Sequence, residues 1–415
     1  MNTSQKSPLV SGFGPSGRSV LARCFVGLTA AALLLSGTGC GKGGAKPAAN
    51  AGETTTKLPP ANPQAVTKMV QGAKMVKERE LRERGVALLR EAIQIDPNLW
   101  EARMNLGIGL ALSGDLVGAE NELDRARKAA PFSPEVAMAL GEVQHRRGDD
   151  KAAASTLGEF VKRNPDSVDV RSRYVTALRN AGETKDAILE AREVLVRRSG
   201  DANALSELAL CHLAKEEKDI ALLLAKQAID ADGKNATPHR TMGLIHLTSG
   251  EDALAFQSFQ KASQLDPRDT TARLNMASVL MRAGAYGKAE DQYKAILSVA
   301  ADDLDAQVGY AAALRATSDG KGPKLEEARA ILERVLLRDP HQVSALLNVG
   351  VLYNDYLKNP EKAKPYFVRF LDDAHPYHPS RGDAEKALAM IKLSVPDKPA
   401  PAPVAPAPTS GGKKK

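Results

Sequence analysis

Two histidines, His212 and His246, stand 34 residues apart at the same place in two apolar stretches, LALCHLA and GLIHLT. Imidazoles repeated in this way could share a transition metal, but two nitrogens fill only half of a tetrahedral site. Packed or partly exposed core histidines are the expected outcome. His375 and His378, in AHPYHP, form a second weak pair with no cysteine or clustered carboxylate beside it. The chain contains no HExxH, GxSxG, Gly-rich phosphate loop or CxxC, so the common hydrolytic, phosphoryl-transfer and redox constellations are missing. Of the three cysteines, Cys211 lies between Leu210 and His212 in an apolar helical stretch and is expected to be a buried, inert thiol. No cofactor is implied. The chain reads as one that acts by binding rather than by chemistry.

What positions its side chains is a repeat. Ala119, Ala153, Ala187, Ala221, Ala255 and Ala289 follow one another at steps of 34 residues. Gly107, Gly141 and Gly243 keep the same beat, as do Pro97, Pro131, Pro165 and Pro267. One full unit, Trp100 to Ser133, holds an apolar segment at helical spacing, a turn at Gly114-Asp115, a second amphipathic segment, and a stop at Pro131. Small residues at Gly107, Ala119 and Ala126 let the two helix backbones approach closely. Units begin near Val66, Trp100, Pro134, Val168, Ala202, Ala236, Thr270, Leu304 and Val343. Five extra residues fall in the stretch Thr317 to Lys324, between the helices of the eighth unit, and the last unit carries one residue more. The stretch is Gly/Pro-rich and is expected to be a surface loop. Asp302, Asp303 and Asp305 lie between units, where a carboxylate caps the next helix.

The residues Leu106-Gly107, Leu110, Ala119, Leu123, Ala126 and Pro131 fall where the tetratricopeptide repeat (TPR) places its small and large residues, and the unit resembles that family. Arg103 stands where the family has an aromatic. The resemblance implies an all-α fold: a right-handed α-solenoid of about nine TPR helix-turn-helix units plus a C-terminal capping helix near Asp383–Ser394. It also implies a concave wall built from the first helices. That wall would display Glu142, His145, Arg146, Arg179, Asn180, Arg240, Arg282 and Arg315 among apolar neighbours such as Met138 and Met281. Arginine suits bidentate capture of carboxylates, so the expected ligand is an acidic or C-terminal segment of another envelope protein. A solvated face without a partner is the alternative. The Lys/Asn clamp of chaperone-binding relatives does not align here.

The ends of the chain are of another kind. Lys6, Arg18 and Arg23 precede an apolar run, Cys24 to Leu35, and small residues lead to Cys40. The run is too short to span a bilayer as a mature helix and suits the core of a signal peptide. Cys40 resembles the lipidated cysteine of bacterial lipoproteins, although Gly37 stands where those have leucine. The expected organisation is a signal peptide over 1–39, a flexible tether over 40–62, a TPR solenoid over 63–394 and a disordered Pro/Ala-rich tail over 395–415. The expected location is the periplasmic face of the outer membrane, held by the lipid, with a soluble periplasmic protein as the alternative.

The net charge of +7 suggests nucleic acid at first sight. Three of those charges lie before Cys40 and three in Lys413–Lys415, so the repeats are nearly neutral and no nucleic-acid partner is expected. The expected function is a non-enzymatic protein–protein scaffold. The order of segments resembles the gliding-motility TPR lipoproteins of myxobacteria. A pilotin-like or cell-wall-synthase-activating lipoprotein is the alternative.

Overall fold

A computed structural model describes residues 61–394, apart from 319, 321 and 377. Cys40, the expected signal segment, almost all of the tether and the tail lie outside the described residues. Within them every regular element is a helix, and the helices pair in chain order. The pairs are α1 (Pro63–Met75) with α2 (Arg82–Ile95), α3 (Trp100–Ser113) with α4 (Leu116–Ala129), and α5 (Pro134–Arg146) with α6 (Asp150–Arg163). Then come α7 (Val168–Asn180) with α8 (Thr184–Arg197), α9 (Ala202–Ala214) with α10 (Lys218–Ala231), and α11 (Ala236–Thr248) with α12 (Asp252–Leu265). The last are α13 (Thr270–Arg282) with α14 (Tyr286–Val299), α15 (Leu304–Thr317) with α16 (Pro323–Arg338), α17 (Val343–Val351) with α18 (Pro360–Asp373), and the closing α19 (Arg381–Ser394). Two compact bodies divide within α13, at Ala272 and Arg273.

The periodic alanines sit where the two helices of a hairpin meet, and all six are buried. Opposite them the packing follows a rule of complementary volumes. A side chain on Gly107 would run into Leu123, one on Gly141 into Leu157, and one on Gly243 into Phe259. The hairpin α7/α8 reverses the sizes: Val175 occupies the glycine's place and Ala191 the large residue's, in one buried cluster. In α9/α10 both are small, Ala209 and Ala225. Filling at near-crystal density leaves room for one large side chain at each crossing, not two.

The turns are built from short polar side chains. Asp96, Asp232, Asp266 and Asp339 each accept a bond from the N–H two residues on, closing the turn between units. Ser133, Asp201, Asn235 and Asp303 cap the helices that follow; for Asp303 this agrees with the expectation from sequence. Arg103, the departure from the family's aromatic, has a structural task. It donates to the Pro97 carbonyl at 3.2 Å. Arg171 does the same to Pro165 at 2.9 Å, His239 meets the Gly233 carbonyl at 3.2 Å, and Gln307 donates to Ala301 at 2.6 Å. These four donors recur every second repeat and pin the chain where one unit turns into the next.

Inside the hairpins, Gly114, Gly148, Gly182, Gly250 and Gly284 hold the turn with φ between 72° and 94°. The same place in the fifth unit is taken by Glu216 at φ 63°. A side chain in this region costs about 1–2 kcal/mol. Gly250→Ala should therefore lower the stability of the N-terminal body by about 1 kcal/mol, read as a shift of its urea midpoint.

The two irregularities of the sequence are absorbed differently. The five-residue excess is not all loop: α15 runs to Thr317, and α16 begins at Pro323 and has 16 residues where α14 has 14. Lys324 is tied at 3.1 Å to both Glu290 and Thr317. The single extra residue of the last unit is taken up by a π-helical turn, Leu352–Tyr356, which continues α17.

Candidate partner-binding surface

Within the N-terminal body the first helices touch one another in succession, α1 to α3 and onward to α11, and α15 touches α17 in the C-terminal body. The second helices make no comparable contact with one another. The N-terminal body thus presents a close-set row of first helices, and the C-terminal body a touching pair, α15 and α17. Glu142, His145, Arg146, Arg179, Asn180, Arg240, Arg282 and Arg315 all lie on first helices.

In the N-terminal body the structure brings several of these together. His145 donates Nδ1–H to Asp150 at 2.5 Å, and the Asn180 amide nitrogen lies 3.4 Å from the same ring nitrogen, so side chains of α5, α6 and α7 meet here. His212 and His246 make the same bond to Glu217 and Glu251, each at 2.5 Å, so each of these histidines is bound within its own hairpin. Glu142 lies beside His145, Arg173 and Arg146. Burial nevertheless pushes its carboxyl above the usual carboxylate range, and one oxygen, Oε1, is closed off without a hydrogen bond.

Arg179 and Arg240 do not line an open wall, which corrects their expected role. Arg179 donates to Glu207 at 2.6 Å, with both side chains about a tenth exposed (9% and 10%). Burial works against the charge of Arg179, and Glu207 overrides it, leaving the guanidinium above its usual range. Arg240 pairs with Asp269, and the two residues are 6% and 4% exposed. These arginines hold one repeat to the next. Their partners went unnoticed in the sequence because Glu207 and Asp269 lie 28 and 29 residues downstream, across a unit boundary.

The C-terminal body holds the other two. Arg282 ends α13 and is exposed. Arg315, in the last turn of α15, is half-buried, with its guanidinium carbon 5.6 Å from the centre of the Tyr356 ring. Its Nε and Nη1 are closed off without a hydrogen bond. Burial lowers the pKa of Arg315 against the opposing fields of Tyr356, Asp355 and Tyr286.

The thiol of Cys211 is buried on α9, and burial, helped by Glu207, pushes it up to about 12. A native chain should leave Cys211 unlabelled by a thiol reagent at pH 8, and unfolding should expose it; mass spectrometry of the labelled peptide checks this. Because the folded thiol holds its proton more tightly, the stability it contributes falls as pH rises from the ordinary thiol value towards about 12.

With this geometry in place, comparison with known proteins is direct. Family profiles of the tetratricopeptide repeat match residues 83–143 and 246–316, 173–236, and 135–167, together more than half of the chain. The chain is a tetratricopeptide-repeat protein. Repeats of this family mediate protein–protein contacts. No curated protein matches the sequence. Among solved structures, this TPR chain is similar to the APC/C hetero-tetramer Cut9-Hcn1 at 15% identity and a TM-score of 0.51, covering 79% of this chain and 64% of that one. It thus spans less than two thirds of that relative's length. It is also similar to yeast Tom70, at 13% identity and a TM-score of 0.43, covering 80% of this chain and 89% of that one. A tetratricopeptide repeat protein from Parabacteroides merdae shows 16% identity and a TM-score of 0.41, covering 61% of this chain and 99% of that one. At such identities the likeness shows the fold alone.

Proposed function

We propose that this TPR chain is a non-enzymatic docking scaffold of a bacterial cell envelope. It is exported by residues 1–39, anchored to the outer membrane by lipid on Cys40, and faces the periplasm. The first-helix rows hold an acidic or C-terminal segment of another envelope protein. The observation that carries this reading is the unbroken succession of first helices along the N-terminal body, α1 to α11, which offers an extended segment one continuous face. Among the described residues no helix is long and apolar enough to cross a membrane, and the only lipid route the reading invokes is Cys40.

Its narrower form is a component of a gliding-motility machine. The order of segments supports it: apolar run, cysteine, Gly/Lys tether, long array and Pro/Ala tail. A pilotin-like role suits a shorter array than nine hairpins. Metabolic labelling with an alkyne fatty acid tests the anchor. The full chain should take up label in a lipoprotein-processing bacterium, and Cys40→Ala should lose it. Undiminished labelling of Cys40→Ala would remove the anchor.

A further inference from the structure

Arg315 differs from the other buried arginines of the first-helix row. Arg179 and Arg240 each face a carboxylate, whereas Nε and Nη1 of Arg315 are closed off with no hydrogen-bond partner. A guanidinium cannot shed its proton as a lysine can, so the charge stays where the fold has put it. A contact with an aromatic ring compensates only part of the lost hydration. The ring in question, Tyr356, stands at the end of the π-helical turn Leu352–Tyr356, the place where the repeat takes in its one extra residue. Such turns interrupt a helix at a cost and recur at functional sites. The turn has a second, fixed side: Tyr353 donates its hydroxyl to Glu333 at 2.7 Å and stacks on Tyr366 at 5.9 Å. The nearest acid on the turn, Asp355, is exposed and accepts from Asn354 at 2.7 Å.

We propose that Arg315, Tyr356 and the π-turn of the last repeat form a seat for a single carboxylate of a partner polypeptide. The proposal rests on the docking reading and locates its anchor. A carboxylate carries one charge, which balances the Arg315 guanidinium, whose Nε and Nη1 have no hydrogen-bond partner. A phosphate would bring a second negative charge towards Asp355, which the single cation does not balance.

The full chain, labelled with ¹⁵N-arginine, allows a direct test through the side-chain Nε–H resonance of Arg315, assigned by its loss in Arg315→Lys. The probe is acetyl-tetraglutamate with a free C-terminus; the controls are acetyl-tetraglutamine amide and inorganic phosphate. The Arg315 resonance should move saturably with the glutamate peptide and stay still with both controls. Tyr356→Leu should weaken that binding by at least about tenfold. Arg315→Met should abolish it while melting no lower than the unmodified chain, because a charge without a partner has been removed. A still resonance, an equal response to phosphate, or a lower melting temperature for Arg315→Met would overturn the seat. Its failure is separable from that of the docking reading, which is judged by crosslinking from other residues of the row.

Discussion

Phe259→Ala should cost the N-terminal body about 3–5 kcal/mol, and adding Gly243→Val should return much of that loss. Phe259 is fully buried, and its ring atoms occupy the space that a side chain on Gly243 would need, at 2.6 Å. Emptying the site leaves a cavity that the rigid crossing of α11 and α12 cannot close. Gly243→Val alone should also be destabilising, by about 3 kcal/mol, because its methyls meet an aromatic ring held on all sides. The double variant recreates the pairing found two repeats earlier, where Val175 and Ala191 share one buried cluster. Equilibrium urea unfolding of the four chains gives the coupling. The two changes should combine to a loss at least about 2 kcal/mol smaller than their sum. Additive losses would show that the crossings are not governed by shared volume.

Asp269→Asn should cost the same body about 3 kcal/mol. The substitution keeps the cap of α13, since an amide oxygen still accepts from the Thr271 and Ala272 N–H groups that Asp269 now holds at 2.9 and 3.4 Å. What it removes is the charge paired with Arg240 in a site where both residues are almost wholly enclosed. An enclosed guanidinium without its carboxylate cannot neutralise itself. Adding Arg240→Met should therefore recover most of the loss, as an apolar side chain of similar length replaces the pair. A single-variant loss below about 1 kcal/mol, the range of exposed ion pairs, would mean that the pair is hydrated after all.

The fold was legible where one residue type serves every unit. The periodic alanines and the turn glycines repeat because each hairpin needs the same small contact and the same left-handed turn. Structure that depends on two residues at once was hidden. Val175 and Ala191 look like degeneration of the pattern until it is known that their places face each other. Glu216 looks like a missing glycine, yet its backbone keeps the turn. The same blindness affected the binding surface. The register of Arg179 and Arg240 on their own helices predicts an open wall, while their acids belong to the next unit. Arg315 has the register of Arg179 and differs because Tyr356, not a carboxylate, arrives from the following repeat. Counting showed that the last unit had one residue too many, but a count cannot say whether the excess widens a loop or a helix.

The claim on which the account turns is that the first-helix side of the repeats receives a protein partner. Photo-crosslinking in living cells tests it most directly, with benzoyl-phenylalanine placed in the full chain at Met138 or Met281 on first helices, and at Leu223 or Val196, which are exposed on second helices. The account predicts adducts of one discrete mass from Met138 or Met281 and none from the other two positions. Adducts formed only from Leu223 and Val196, or from none of the four, would contradict it.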